Sequence, residues 1–497
     1  MRRPFPIPLR LSTLLLLLAV VACSPSSLSG APGRAGNRIV TPPPERQQQQ
    51  PQPQATPGVQ GTPTAPTGPV RLRGAGMSAS DLHIAYRALL DNYVDPVDDG
   101  QLISAAAESL RKGLQDQPVL PMVSMPVALV PPPTGNPERD WQAFGDAYDA
   151  VVNKLPDWAR QAHADWLVLR GMAESLHDGH TSFLTPDEAR RRNESSFVGI
   201  GVLLSRPQDN QQPLIAEIFP NSPAASSGLK RGDRIVAVDG QDTTGKTVAD
   251  IATLIRGQAG TQVRLRVQRV GSAQPQEFTL RRAQVQVAPA FGQVVPNTPI
   301  GYLRIRNFSD ESVVEQVLGV LDRGQQRGLR AWIVDLRGNP GGALRAVVGV
   351  AAGFVDDNHP IIGYQVDRTR RQTPLEVPQT LHLVDGSMVV VLVDRDTASG
   401  AEIFAAALQE AKLAQLVGSK TAGNVGVASQ LQLPDSSVLQ VTEQRFVTPS
   451  GAAIDGVGVT PDVVVDMTDT DIENDRDPQL AKALELVVQQ LTGQSGR

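Results

Sequence analysis

The chain is predicted to fold as an α/β protein that carries an inserted β-rich module and a helical amino-terminal region. Three observations predict it. Between residues 286 and 467, short apolar runs suited to buried strands (331–336, 388–393) alternate with helical segments (311–323, 401–412). Between 196 and 285 the pattern changes to short strands punctuated by turn residues. Between 78 and 195 apolar residues recur at helical spacing, as in 81–93 and 140–172.

A length of 497 residues suits two or three domains. Forty-six basic residues stand against 51 acidic ones, so no basic footprint points to nucleic acid. No HExxH or Cys/His cluster of metal-ligand spacing is present, and neither metal nor cofactor is expected. The single Cys excludes an internal disulfide framework.

That Cys lies at the end of a targeting segment. Arg2, Arg3 and Arg10 supply a positive start, residues 11–21 an apolar stretch, and Val20-Val21-Ala22-Cys23 resembles a bacterial lipobox. The resemblance implies cleavage before Cys23, a lipid on its thiol, and an exported protein anchored to a membrane on the extracytoplasmic side. Residues 24–77, rich in Pro, Gln, Gly, Ser and Thr, read as a disordered tether. Residues 118–133 read as an irregular Pro-rich loop. No later stretch reaches the roughly 18 apolar residues of a spanning helix. Residues 468–497 read as a helical tail.

The 196–285 module contains Phe197-Val198-Gly199-Ile200-Gly201-Val202, then Ser222-Pro223-Ala224-Ala225, then Gly232-Asp233-Arg234-Ile235 and Val238-Asp239-Gly240. This ordered set resembles a PDZ domain of the bacterial protease type. Such a module binds by β-augmentation, in which a peptide adds a strand to a sheet edge and backbone N–H groups hold a terminal carboxylate. Val198, Gly199, Ile200, Gly201 and Val202 are the expected peptide-binding loop, and polypeptide tails the expected partner. A spacer that only packs is the alternative role.

Two turns of the α/β region stand out chemically. Asp335-Leu336-Arg337-Gly338-Asn339-Pro340-Gly341-Gly342 follows one buried run and precedes a helix. Paired Gly residues there let backbone N–H groups converge on a developing oxyanion. Asp394-Arg395-Asp396-Thr397-Ala398-Ser399-Gly400-Ala401-Glu402 follows another. Taken alone, Ser399 is a plain helix N-cap. The ordered combination of PDZ, both turns and Gly456-Val457-Gly458-Val459-Thr460-Pro461-Asp462 resembles the C-terminal processing (tail-specific) peptidase family over residues 140–465. The resemblance implies a crotonase-like βαβ core, peptide-bond hydrolysis without metal, Ser399 as nucleophile, and an oxyanion hole from Gly400 with Gly341 or Gly342.

One departure matters. The family pattern places a catalytic Lys where this chain has Asn424, within Thr421-Ala422-Gly423-Asn424-Val425-Gly426, and a supporting Gln where it has Ala428. Asn cannot act as a general base. Lys420, Glu402 and His180 are the candidates for a replacement. His180, in Asp178-Gly179-His180-Thr181, matches a short turn before PDZ, and imidazole is the usual partner of a Ser nucleophile. Asp455 is expected to orient it, with Glu402 as competitor. The reading is therefore a Ser–His–acid peptidase; a silent peptide-binding scaffold is the alternative.

Overall fold

The computed structural model describes residues 76–115, 133–153, 163–193, 196–205 and 211–494. The expectations for the leader, Cys23, the tether up to residue 75 and nearly all of the 118–133 loop fall outside them; Met77, expected at the end of the tether, is instead buried and donates its N–H to Asp165.

At the centre is a six-stranded sheet in the order Ala290–Val294, Ile300–Ile305, Ala331–Asp335, Met388–Val393, Gln415–Gly418 and Val463–Val464. The first strand runs antiparallel to the second, and the other neighbours are parallel. Side chains alternate across a pleated strand, and here both sides are covered. Trp332, Val334, Val391 and Val393 face a core shared with helices Ser312–Gln326, Leu344–Ala351 and Gly400–Glu410. Ile333, Val390, Leu392 and Val417 face Ala483 and Val487 of helix Pro478–Gln494. Two covered faces explain the unbroken apolar runs. Each fully buried Val or Ile contributes about 1.5–3 kcal/mol.

A second, antiparallel sheet joins Ser182–Leu184, Val438–Val447, Ile361–Asp367 and Gln372–Glu376, with Gly426–Gln432 also paired to Val438–Val447. It supports the amino-terminal region, whose helices among the described residues include Ala79–Asn92, Asp99–Gln115, Pro137–Val152 and Ala164–Glu174. Leu439 and Val441 of the sheet share one core with Leu82, Tyr86, Trp141 and Leu169. Tyr86 stacks on Trp141 with ring centroids 4.6 Å apart. The helical spacing expected over 140–172 is found in two described helices, Pro137–Val152 and Ala164–Glu174. The first ends at Val152 and the second begins after His163, whose φ of 51° is incompatible with an α-helical turn.

The PDZ-like module has its own core of Ile200, Ile215, Ile235, Ile251, Val263 and Leu265. Its four-stranded sheet is ordered Gln241–Asp242, Arg234–Val238, Gln262–Gln268 and Gln276–Arg281. Its helix, Val248–Ile255, starts at a Thr247/Asp250 capping box. Among the described residues, strand Val202–Leu204 pairs only with Ile215–Ile218. Ion pairs fasten the module to the rest: Arg234 to Asp469 and Glu473, and Glu217 to Arg306.

Candidate active site

Strands Ala331–Asp335, Met388–Val393 and Gln415–Gly418 are parallel neighbours, so the three turns leaving their carboxyl ends lie side by side. This is where ligands bind in open parallel sheets.

The first turn is built on Asn339, which is fully buried. Its Nδ2 donates to Ile305 O at 3.0 Å, and its Oδ1 accepts from Gly341 N–H at 2.8 Å. Its carbonyl accepts from Ala398 N–H at 2.9 Å, tying this turn to the second. Gly341 has φ 87° and Gly342 φ 144°. A Cβ on Gly341 would lie 2.6 Å from Gly400 N and 2.7 Å from Ser399 Cβ. Only Gly permits this approach. Because Gly341 N–H is taken by Asn339, the N–H groups of Gly342 and Gly400 are the ones left without a protein acceptor among the described residues. Below the turn, Asp335 is held by Arg304, Arg337 and Tyr302. Its burial favours protonation, but the two guanidinium groups outweigh burial and keep its carboxyl well below the usual range.

Ser399 heads the second turn with φ 53° and ψ −123°. An ordinary N-cap has extended dihedrals; this conformation costs about 1–3 kcal/mol and is a feature of strained functional turns. What holds it is Glu402. Wholly buried, Glu402 accepts from Ser399 N–H (3.0 Å) and Asn424 N–H (3.0 Å) on Oε2, and from Gly423 N–H (2.7 Å) and the Thr421 hydroxyl on Oε1. Ser399 N–H also donates to Asn424 O at 3.0 Å. Glu402 thus locks the third turn to the second.

His180 comes from outside the six-stranded sheet. Asp178 accepts from its backbone N–H (3.0 Å) and from Thr181 N–H and Oγ1 (2.6 and 2.8 Å), fixing the turn that presents it. Its imidazole rests over Gly426, where a Cβ would fall 2.7 Å from His180 Cδ2. Nε2 is buried and has no hydrogen-bond partner. Among the described residues no carboxylate forms an ion pair with this ring.

One cleft of about 1080 Å³ joins these parts. Ser399, Gly400, Gly341, Gly342, His180 and Asn424 line it, and so do Gly199, Ile200, Gly201 and Val202 of the expected peptide-binding loop. The side chain of Val198 is half-buried beside that loop. Two sequence expectations need correction. Asp455 does not meet His180: it accepts Val425 N–H at 3.0 Å and braces the third turn. Glu402 has its oxygens filled by four donors and is a positioning group. Lys420 is exposed and does not line the cleft. Sequence reasoning missed Asn339 and Gly426. Asn339 stands between Gly338 and Pro340 and carried a readable signal, while Gly426 did not.

A PDZ module opening onto a strained Ser beside two free backbone N–H groups defines a serine-type peptidase. The sequence profile of peptidase family S41 matches residues 299–465, and that of the PDZ domain residues 214–269. The chain is 31% identical over 371 residues to the carboxyl-terminal-processing protease of Synechocystis sp., across 70% of this chain and 85% of that protein. It is 30% identical over 350 residues to carboxy-terminal processing protease CtpA of Bacillus subtilis, across 68% and 73%. Its fold is also similar to that of mature CPAF complexed with lactacystin (TM-score 0.50, 14% identity, 84% of this chain and 98% of that one). The chain belongs to peptidase family S41, among carboxyl-terminal-processing serine proteases with a PDZ domain.

Proposed function

We propose that this protein is an exported, lipid-anchored endopeptidase that takes polypeptide tails through its PDZ domain and hydrolyses peptide bonds with Ser399 and His180. The observation that carries the reading is one cleft lined by Gly199–Val202, Ser399 and His180, with His180 Nε2 buried and without a hydrogen-bond partner. His180 Nε2 takes the Ser399 hydroxyl proton as Oγ bonds to the scissile carbonyl carbon. Gly400 and Gly342 N–H stabilise the oxyanion, worth about 2.7–4 kcal/mol per donor. The C–N bond then breaks, the amine leaves with the proton from His180, and water releases the acyl group by the same steps in reverse.

No acid is assigned to orient His180, because Asp455 and Glu402 are engaged elsewhere. The Asp178 turn and the Gly426 surface hold the ring instead. The PDZ strand Val202–Leu204, with a strand partner on one edge alone among the described residues, supports β-augmentation by a tail. For Cys23 the support is the leader sequence; Cys23→Ser is expected to move the protein from the membrane to the soluble fraction, and unchanged partitioning would refute the anchor.

A second reading, a catalytically silent PDZ scaffold, is supported by Asn424 standing where the family resemblance leads one to expect a Lys. Labelling with a fluorophosphonate, which reacts only with an activated Ser, separates the two. Label on wild type and none on Ser399→Ala supports the peptidase; an unlabelled wild type that still binds tail peptides supports the scaffold.

A further inference from the structure

Asn424 stands where the family resemblance leads one to expect a Lys, yet it has contacts on both sides of the site. Its backbone serves the nucleophile turn: its carbonyl accepts the Ser399 N–H at 3.0 Å, and its own N–H donates to Glu402 Oε2 at 3.0 Å. Its side chain faces the base. A Cβ on Gly179, the residue before His180, would fall 3.0 Å from Asn424 Oδ1 and 3.6 Å from its Cγ and Nδ2. The carboxamide therefore lies against the turn that presents His180. Gly179, with φ 69° and no side chain, is what lets it approach.

The contact is reciprocal. Two residues on, Gly426 meets the imidazole, where a Cβ would fall 2.7 Å from His180 Cδ2. The 178–181 turn thus lays a ring on the 424–426 turn, which lays a carboxamide back on it. Along the same interface Thr442 N–H donates to Thr181 Oγ1 at 3.1 Å. Asn424, Ser399 and His180 all line the one cleft. Closely packed turns of this kind transmit a change of volume instead of absorbing it.

Resting on the peptidase reading, we propose that Asn424 is a positioning residue that sets the spacing between Ser399 and His180. The amide is then part of a Ser–His site and not the relic of a Ser–Lys one. A longer Lys side chain at 424 would push on the His180 turn. Its ammonium would also disfavour the imidazolium that forms as the Ser399 proton moves. An Asp keeps the shape of Asn and reverses the charge effect. The neighbouring carboxylates Asp178, Glu402 and Asp455 already accept backbone N–H groups and are the same in every variant.

The test compares the full chain of wild type with Asn424→Ala, Asn424→Asp and Asn424→Lys by casein hydrolysis across pH, Tm and fluorophosphonate labelling. Asn424→Ala is expected to lose ~10-fold in kcat with KM little changed. Asn424→Asp should keep most of its activity at its own optimum. The acidic limb of its kcat/KM profile should move up by about 0.5–1 pH unit, because a carboxylate beside the imidazole favours the protonated ring. Asn424→Lys should lose ~10-fold or more although it restores the family residue. Where Asn424→Ala proves too unstable to assay, the acidic limb of the Asp variant decides. Wild-type kcat in Asn424→Ala, an unmoved limb in Asn424→Asp, or an Asn424→Lys as active as wild type would overturn the inference while leaving the peptidase intact. A wild type neither labelled nor active would remove the peptidase reading and this inference with it.

Discussion

The backbone of Ser399 is held out of ordinary geometry by one carboxylate. Glu402 accepts four donors, two on each oxygen. A Gln at this position has a single acceptor oxygen, so in either orientation two donors lose their partner and face an NH2 group. Glu402→Gln is expected to destabilise the protein by about 2–4 kcal/mol and to depress kcat with it. An unchanged denaturation midpoint and rate would contradict the positioning role. Gly341→Ala places its methyl against Gly400 N and Ser399 Cβ at positive φ. The expected loss is ~10²–10³-fold in kcat with KM little changed; a selective rise in KM would move Gly341 from the oxyanion turn to substrate binding. Little of this was readable beforehand. Glu402 stands three residues after Ser399, a spacing that fits both a capping box and a base facing the hydroxyl. Only the turn folded back from 421–424, distant in sequence, decides between them.

The three turns are an element-level consequence of parallel pairing. Adjacent parallel strands deliver their carboxyl ends to one edge of the sheet, so Asn339, Ser399 and Asn424 meet without being near in sequence. The strands that do this were legible, because burial on both faces writes a continuous apolar run, as in Met388–Val393. The antiparallel sheet was not. Gly426–Gln432 carries Ser429, Gln430 and Gln432 on a strand that, among the described residues, is paired on one edge alone, and its mixed polarity resembles a loop. His180 was legible as a candidate base through its Asp178-Gly179-His180-Thr181 turn. The Gly426 surface under its ring was not, because it comes from the hidden sheet.

At the scale of the whole molecule, a buried charge cluster joins the active-site turn to the carboxyl-terminal helix. Asp335 pairs with Arg304 and Arg337, and Arg337 continues to Asp477 at 2.9 Å, just before helix Pro478–Gln494. Arg231 reaches Asp475 from the PDZ domain, so the same connector bridges both domains. The folded pKa of Asp335 lies below its unfolded value of about 3.9. Its contribution to stability is therefore present above about pH 4 and lost as pH falls toward the folded value. Asp335→Asn is expected to lower Tm at neutral pH. It should also lose less Tm than wild type between about pH 5 and pH 3. Parallel Tm curves for the two proteins would contradict the assignment.

The central claim is that an imidazole, in place of the family's Lys, serves Ser399. Its most direct test is casein hydrolysis by wild type, Ser399→Ala, His180→Ala and Lys420→Ala, with each variant's fold checked by Tm. Ser399→Ala and His180→Ala are expected to lose ~10³-fold or more, and Lys420→Ala, whose side chain is exposed outside the cleft, to keep near-wild-type rates. Full activity in His180→Ala together with its loss in Lys420→Ala would contradict it.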